Sequence, residues 1–445
     1  MTLVLVGVVA IVAVIIATRL DFKGTAFGLA MLAAFTLPWN GIRPAHVQPG
    51  DILLFLAIVL YLAGGLKQRL PQLPLWITQL GVVIVVVTVA HELIPVDAHY
   101  LAARTVLTAD GKSFYDFQSN LVNGAKFAFG IFGLPLIFGF AASQRRNALH
   151  LLGMAFAAGV SLSALIAFLD GQGLTHIGAS LTHVQFLQTR EGGLSYHPNF
   201  LSAGCVIAFP IAIWRMMTGS RRERWFGGAM AFAIVLGTYA TGSRGGAACI
   251  VLGGVLSALL VPQVRRHIVP IGFATMLLAI VAFVAVPGFG HAVLKGTRLV
   301  GGQNTTGSNT VRHLVAQQGI RDFEYSPIYG LGFQTAADAQ NVYLQELQSG
   351  GLILLISMTV FTLGGVRAAY IMRDEDSLAA PLAVSMVAAA VLNYFEADLT
   401  DRFFYVPAGI VAAMVAVRAL RREQAPDSPA QPSLASPTNA RVLVG

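Results

Sequence analysis

The chain has 445 residues, of which 56% are hydrophobic and only 11% are charged. Soluble domains carry roughly 25% charged residues, so this composition excludes an ordinary soluble protein. The formal net charge of +8 is explained by the basic loops of a membrane protein, because Lys and Arg collect on one side of a bilayer. We therefore expect membrane lipids, and no nucleic acid, among the partners of the chain.

Long apolar runs recur along the whole sequence, beginning with LVLVGVVAIVAVIIA at Leu3–Ala17. A helix of about 20 mostly apolar residues spans a bilayer, and the alternation typical of a transmembrane barrel is absent from these runs. The first run lacks the basic segment and the small-residue cleavage site of a signal peptide, so we interpret it as a retained helix. The sequence predicts an all-α polytopic membrane protein with about 12–13 transmembrane helices. The predicted spans are 2–18, 24–38, 51–66, 75–95, 125–142, 148–169, 199–216, 227–241, 246–262, 268–287, 350–370, 379–395 and 403–420.

Basic clusters fall in alternate loops between these spans, which predicts the orientation of the chain. All of them lie on one side, interpreted as cytoplasmic: Arg19 and Lys23; Lys67 and Arg69; Arg145 and Arg146; Arg221, Arg222 and Arg224; Arg265 and Arg266; Arg367 and Arg373; Arg418, Arg421 and Arg422. The C-terminus is then cytoplasmic, and the N-terminus lies outside if every predicted span is real and inside if one is not. We divide the chain into a transmembrane domain over 1–422, whose large outer loop covers 288–349, and a tail over 423–445. The tail is rich in Pro, Ala and Ser, so it is expected to be disordered.

Arg244 lies in the stretch GTYATGSRGGAACIVL, between two apolar runs and among glycines. Thr241-Gly242 ends one predicted span and Gly245-Gly246 begins the next, so the glycines permit a tight reversal on the outer side. The amides at the start of the following helix favour an anion beside Arg244. The alternative interpretation is a snorkelling arginine in contact with lipid headgroups.

Other arginines are predicted on the same outer side: Arg190, Arg298, Arg312, Arg321 and Arg402. Any one of them is commonly a solvated loop charge, but arginine forks bind phosphate bidentately. As a set they favour an anionic substrate at the outer interface. Within the large loop, VRHLVAQQGIRDF at Val311–Phe323 has apolar residues at helical spacing, which predicts an amphipathic helix on the membrane surface.

Five motifs follow one another in the second half of the chain. They are REGG with HPNF from Arg190, TGSRGG from Thr241, VRHLVAQQGIRDF from Val311, SPIYGLGF from Ser326, and QNVYLQELQSGG from Gln340. In this order, and with a large outer loop before the last spans, the sequence resembles the O-antigen ligase and O-antigen polymerase superfamily. The motifs cover 190–351, and the pattern of spans extends the resemblance over the whole chain. It implies an inverting, metal-independent glycosyltransferase of the bacterial plasma membrane, with no cofactor and an active site on the outer face.

The resemblance also implies the substrates. The donor is a glycan linked to undecaprenyl diphosphate, and the acceptor is lipid A core in ligases or another lipid-linked glycan in polymerases. It assigns Arg244 and Arg312 to the donor diphosphate, and we expect Asp338 and Gln340 in the same catalytic group. The residues expected to bind substrate are Arg190, His197, Asn199, Arg298, Arg321, Asn341 and Tyr343.

Gln340 departs from the family pattern. Many ligases have His-Asn-x-Tyr-Leu at this point, and the histidine is thought to act as a general base. Glutamine cannot accept a proton at neutral pH, although it can orient a hydroxyl, so a polymerase, a ligase to a different acceptor and an inactive relative all stay open. The candidate bases are Asp338, Glu346, His197 and His313, and Asp338, two residues before Gln340, is our first choice.

A transporter or flippase of a lipid-linked or small anionic substrate is the alternative function. Such proteins place ionisable residues and broken helices at the midplane, often in inverted repeats, whereas this sequence has few mid-span charges and no evident repeat. The features most like a transporter are His91 and Glu92 near the end of one span, and Glu396 and Asp398 after another. They lie near the outer ends of spans, so we interpret them as the rim of the site or as structural residues.

Overall fold

The computed structural model describes residues 22–43, 47–65, 72–103, 119–184, 190–267, 306–335, 340–396 and 399–424, with the isolated positions 270 and 277. None of these residues lies in a strand, which confirms the predicted all-α fold class. The α-helices are α1 Phe22–Thr36, α2 Pro49–Gly65, α3 Leu75–Leu93, α4 Ala98–Ala103, α5 Asn120–Ala128, α6 Leu134–Gln144, α7 Ala148–Gly171, α8 Ile177–Thr182, α9 Pro198–Thr218, α10 Arg221–Thr241, α11 Arg244–Leu260, α12 Pro262–Arg265, α13 Thr306–Tyr325, α14 Val342–Met372, α15 Ala379–Leu392 and α16 Val406–Gln424. A π-turn at Phe129–Gly133 joins α5 to α6, and 3₁₀ turns lie at Phe333–Thr335 and Arg402–Tyr405.

Most of the predicted spans coincide with described helices. Six described helical segments are long and apolar enough to cross a membrane: Leu75–Leu93, Asn120–Gln144, Ala148–Gly171, Pro198–Thr218, Val342–Met372 and Arg402–Glu423. Pro49–Ala63, Arg244–Leu260 and Ala379–Leu392 are shorter apolar helices. The predicted spans 2–18 and 268–287 fall outside the described residues, apart from positions 270 and 277. The tail predicted from 423 also lies outside them beyond Gln424, where α16 ends.

Local sequence explains where the helices of the second half begin. His197 caps α9 with its ring, and Pro198 occupies the first helical position, where its missing N–H costs nothing. Ser220 and Glu223 form a capping box at the start of α10, and the Ser243 hydroxyl accepts a hydrogen bond from Gly246 N (3.2 Å) at the start of α11. These caps satisfy amides that have no partner within the helix.

Helix α14 begins at Val342, eight residues earlier than the predicted span, and is interrupted at Gly351. The backbone of Gly351 has φ 60° and ψ −156°, a conformation that residues with a side chain rarely adopt. The preceding loop fits into this break, because Leu331 N and Gly332 N donate to Gln348 O and Ser349 O, and Leu352 N donates to Pro327 O (2.9 Å). The SPIYGLGF motif therefore completes the backbone hydrogen bonding of a broken helix.

The predicted loop helix is present as α13, and it packs on α14 at Gly319, where an added Cβ would lie 2.6 Å from the Leu344 side chain. The face of α13 that is buried in the protein includes polar residues. Asp322 is fully buried and accepts hydrogen bonds from Tyr100 Oη (3.0 Å) and Gln348 Nε2 (2.8 Å). The expectation of a helix lying on the membrane by its apolar spacing missed these polar contacts, because their partners are distant in sequence.

The described ion pairs lie at the two ends of the helices. At the end interpreted as cytoplasmic, His150 pairs with Asp376 (2.8 Å), Arg418 with Glu375, and Arg215 with Glu223. The predicted outer loops meet one another at the opposite end. This separation agrees with the alternation of basic loops in the sequence.

Candidate active site

Arg190 connects the loop before α9 to the end of α10. Its Nε donates to Thr241 O (2.8 Å), and its Nη2 donates to Asn199 Oδ1 (2.5 Å). Thr241 stands three residues before Arg244, so the REGG and TGSRGG motifs meet at one end of the bundle. The side chain of Arg190 is thereby fixed at two points, which restricts the position of its guanidinium.

His197 and Asn199 lie at the start of α9 beside Arg190. The His197 Nδ1 accepts from Asn199 N (3.2 Å), which is the contact of a helix cap. Burial, together with the charges of Arg190 and Arg312, lowers the pKa of His197 to about 4. The imidazole is therefore neutral at pH 7, because protonation would add a third positive charge in a site poorly accessible to water.

Glu396 follows α15 and is buried against the same group, with 3% of its surface exposed. Burial raises the pKa of its carboxyl to about 8, although Arg312, Arg190 and a hydrogen bond from the Asn199 side chain act in the opposite direction. The Asn199 amide thus bridges Arg190 and Glu396. At pH 7 the carboxyl is mostly protonated, since burial outweighs the attraction of the two arginines.

Arg312 approaches this group from α13. Its Nε donates to Gln340 Oε1 (2.8 Å), and its charge acts on both His197 and Glu396. The loop residue Gln340 therefore orients the guanidinium of Arg312. We call the residues Arg190, His197, Asn199, Arg312, Gln340 and Glu396 the outer cluster.

Arg244 lies at the edge of the outer cluster as the first residue of α11, and it is exposed. An added Cβ on the adjacent Gly245 would lie 3.2 Å from Phe395, which immediately precedes Glu396. The start of α11 and the loop that bears Glu396 are thus in contact. The N-terminal amides of α11 add to the positive potential beside Arg244.

The protonation states decide the net charge of the outer cluster. Near neutral pH, His197 has no charge and Glu396 is mostly uncharged, so neither cancels the charges of Arg190 and Arg312. Such a group attracts a multiply charged anion, because guanidinium groups in a partly dry environment interact with it more strongly than in water. Among the described residues, no three His, Cys, Asp or Glu side chains are arranged to hold a metal ion.

Several of the expected site residues have other contacts. Arg321 is exposed and stands nine positions after Arg312, which places it on the opposite face of α13. Asn341 caps α14 by accepting from Leu344 N (3.2 Å), and Tyr343 Oη donates to Ala390 O (2.6 Å). Arg402 is buried and donates to Asp51 Oδ2 (2.6 Å), so it neutralises a carboxylate of the protein.

The structure also shows where the described candidate bases lie. Asp338, together with the expected substrate-binding Arg298, lies outside the described residues. His313 is exposed on α13, and Glu346 is 1% exposed, with no hydrogen-bond partner for Oε2 among the described residues. Glu396, interpreted from sequence as the rim of the site or as a structural residue, is acted on by the charges of Arg312 and Arg190. The available signal was an acid directly after an apolar span.

The fold and the outer cluster define a polytopic helical membrane protein with a positively charged site at one end of its helices. Residues 229–354 match the family model described as O-antigen ligase. This segment contains Arg244, α13 with Arg312, and Gln340. The match therefore confirms the resemblance over the four motifs from TGSRGG to QNVYLQELQSGG. Arg190, His197, Asn199 and Glu396 lie outside the matched segment. A search of curated proteins found no match.

Proposed function

We propose that the chain transfers or polymerises a glycan from an undecaprenyl-diphosphate-linked donor onto a hydroxyl acceptor at the outer face of the plasma membrane. The observation that carries this proposal is the meeting of Arg190 and Arg312 with neutral neighbours, at the edge where α11 begins with Arg244. The match of 229–354 to an O-antigen ligase family supports glycan transfer in general.

The arginines act on the leaving group. The acceptor oxygen attacks the anomeric carbon from the face opposite the phosphate, the bond from that carbon to the phosphate oxygen breaks, and the configuration inverts. Negative charge develops on the departing diphosphate, and Arg244 and Arg312 stabilise it without a metal ion. Arg190, held by Thr241 and Asn199, adds a third positive charge. A well-placed donor of this kind contributes about 3 to 4 kcal/mol to a transition state.

The proton of the acceptor hydroxyl needs a base, and we assign this role to Asp338 or Glu396. Asp338 stands two residues before Gln340, which holds Arg312. Glu396 has a pKa of about 8 because of its burial, and a base works best when its pKa is close to the working pH. The form that accepts the proton is the minor ionised fraction of Glu396 present at neutral pH. Gln340 then has a positioning role, since its side-chain oxygen is engaged by Arg312.

The test measures glycan transfer by purified protein from a lipid-diphosphate-linked donor. We expect Arg244→Ala and Arg312→Ala each to lower the rate by about 10²-fold or more. Arg321→Ala is the matched control, because it removes the same charge from the opposite, exposed face of α13, and it should stay within about twofold of wild type. Full activity in both Arg244→Ala and Arg312→Ala would contradict the assignment.

Gene deletion separates the two forms of the activity. Shorter surface glycans would indicate a polymerase, and an accumulation of unattached polymer would indicate a ligase.

The transporter alternative predicts that labelled lipid-linked donor moves across the membrane of proteoliposomes and that no glycan product forms. The described buried charges Asp51 and Arg402 form an ion pair with each other (2.6 Å), so they give that alternative little support.

A further inference from the structure

A groove of about 830 Å³ lies between the last turn of α9 and the first turns of α10. Helix α10 runs for 21 residues from Arg221 to Thr241, which is about 30 Å at 1.5 Å per residue. Thr241 O holds Arg190 of the outer cluster. The groove is therefore one hydrocarbon thickness away from the outer cluster, at the other surface of the membrane.

The lining residues of α10 follow a chemical order along one face. Arg221, Trp225, Gly228 and Phe232 all line the groove, and their spacings of four, three and four residues place them in one row. Trp225 is 76% exposed and Phe232 is 65% exposed. From the end of the helix inward, the row presents a guanidinium, then an indole, then hydrocarbon. A phospholipid presents phosphate, glycerol and acyl chain in the same order.

Two adjacent glycines shape the floor of this groove. An added Cβ on Gly227 would lie 2.5 Å from Met216 N, so the absence of a side chain lets α9 and α10 approach closely. On Gly228 the same atom would lie 3.5 Å from Met216 Sδ, which is ordinary contact. Because Gly228 has no side chain, the groove is open between Trp225 and Phe232.

The charges at the mouth of the groove favour an anion. The carboxylate of Glu223, which stands between Arg221 and Arg224 in the sequence, is engaged by Arg215 and by Ser220 N (2.7 Å). Arg224 Nε donates to Gly219 O (2.8 Å), which fixes the guanidinium while its terminal nitrogens stay available to a ligand. Arg221 and Arg224 are both exposed beside Trp225.

We propose that this groove binds an anionic phospholipid of the leaflet on that side. Its phosphate contacts Arg221 and Arg224, its glycerol region packs on Trp225, and one acyl chain follows Gly228 to Phe232. Basic pockets between transmembrane helices suit such headgroups, and Trp favours the interfacial depth. A zwitterionic lipid binds less well, because its ammonium group is repelled by the arginines. The site is independent of the glycan-transfer function.

The test uses the full chain purified in detergent, to which phosphatidylglycerol or phosphatidylcholine is added, and counts bound lipid by native mass spectrometry. Wild type should retain phosphatidylglycerol in preference to phosphatidylcholine. The double variant Arg221→Ala, Arg224→Ala should lower the apparent affinity for phosphatidylglycerol by about tenfold or more. The matched control is Arg265→Ala, Arg266→Ala, which removes the same charge at the same end of the bundle and should keep the affinity within about twofold.

Thermal unfolding gives a second measurement. Phosphatidylglycerol should raise the melting temperature of wild type and of the control, but not that of the Arg221, Arg224 double variant, because a ligand stabilises only the state that binds it. Equal loss in the control would show diffuse charge attraction and overturn the proposal, as would unchanged binding by the double variant or equal binding of both lipids. If the alanine variant does not fold, Arg221→Gln with Arg224→Gln replaces it under the same expectations.

Discussion

At the scale of the residue, Glu396 shows how burial sets the charge of the outer cluster and how that charge depends on pH. Its pKa in the folded chain is about 8, against an ordinary value of 4.5. Between these values the folded chain keeps a proton that the unfolded chain has lost, so the free energy of unfolding falls as pH rises toward about 8. We expect this group alone to remove roughly 2 kcal/mol between pH 6.5 and 9. Glu396→Gln, which copies the protonated carboxyl, should lack this component.

The measurement is thermal unfolding of wild type and Glu396→Gln in detergent at pH 6.5 and 9. The variant should already be the more stable of the two at pH 6.5, by roughly 3 kcal/mol, because the unfolded wild type has lost its Glu396 proton there while the folded chain keeps it. Its advantage should grow by roughly 2 kcal/mol at pH 9. His197 does not interfere, because its pKa is lowered to about 4 and its contribution is lost only below its unfolded value near 6.5. If the difference in melting temperature between the two proteins were the same at both pH values, Glu396 would not be held protonated in the folded chain.

Sequence could predict those site residues whose signal is local. Arg244 is recognisable because a charged guanidinium between two apolar runs is unfavourable unless it has a role there. Arg312 is recognisable from the motif around it. Glu396 and the pairing of Arg402 with Asp51 depend on contacts between segments far apart in the chain, which no local pattern contains. Tyr343 and Asn341 are expected from the motif to bind substrate, and the structure shows that their side chains bond to Ala390 O and Leu344 N. A motif predicts that a residue type is needed there and does not distinguish a ligand contact from a helix cap.

At the scale of the element, the break in α14 depends on glycine. The Gly351 backbone has φ 60°, and an added Cβ would lie 2.4 Å from the Ile328 backbone. At Gly330, with φ 69°, the same atom would lie 2.5 Å from Gly350 N. We expect Gly351→Ala and Gly330→Ala each to lower the free energy of unfolding by about 2 kcal/mol or more, since neither the strain nor the backbone clash can be relieved by a side-chain movement.

Gly28→Ala is the matched control for these two variants. Gly28 lies within α1, and an added Cβ there meets nothing within 4 Å, so the exchange should be neutral or stabilising by up to about 1 kcal/mol. Thermal unfolding of the three variants in one detergent makes the comparison. If Gly351→Ala were as stable as Gly28→Ala, the loop at 327–332 would not be fitted into a broken helix.

The same scale shows what apolar periodicity can and cannot predict. It gave most of the described spans within a few residues, because a run of apolar residues must be shielded from water whatever its neighbours are. It could not predict the break at Gly351, where the pairing of the loop carbonyls and amides decides the conformation. Nor could it predict Asn40, fully buried, whose side chain bonds both Asp401 (3.1 Å) and Tyr196 N (2.9 Å). Asn40 therefore connects the segment that carries Glu396 to the segment that carries His197.

At the scale of the whole molecule, the glycan-transfer proposal requires the outer cluster to face away from the cytoplasm. The basic loops of the opposite end predict this orientation. Two exposed positions report on the two ends: Ser180 in α8, near the loop of Arg190, and Asp374, whose side chain is 86% exposed after α14. The native Cys205 and Cys249 are free and buried, so they give little background to a thiol reagent.

We therefore expect Ser180→Cys to react with a membrane-impermeant maleimide in intact cells whose outer membrane has been made permeable. Asp374→Cys should react only after the plasma membrane is opened, because the reagent cannot cross a bilayer. Labelling is read by the mass shift of the purified protein, with wild type as the background control. The reverse pattern would place Arg190, Arg312 and Glu396 on the cytoplasmic side. A lipid-linked donor presented at the outer face could not reach them there, and the proposed transfer would fail whatever the chemistry of the cluster.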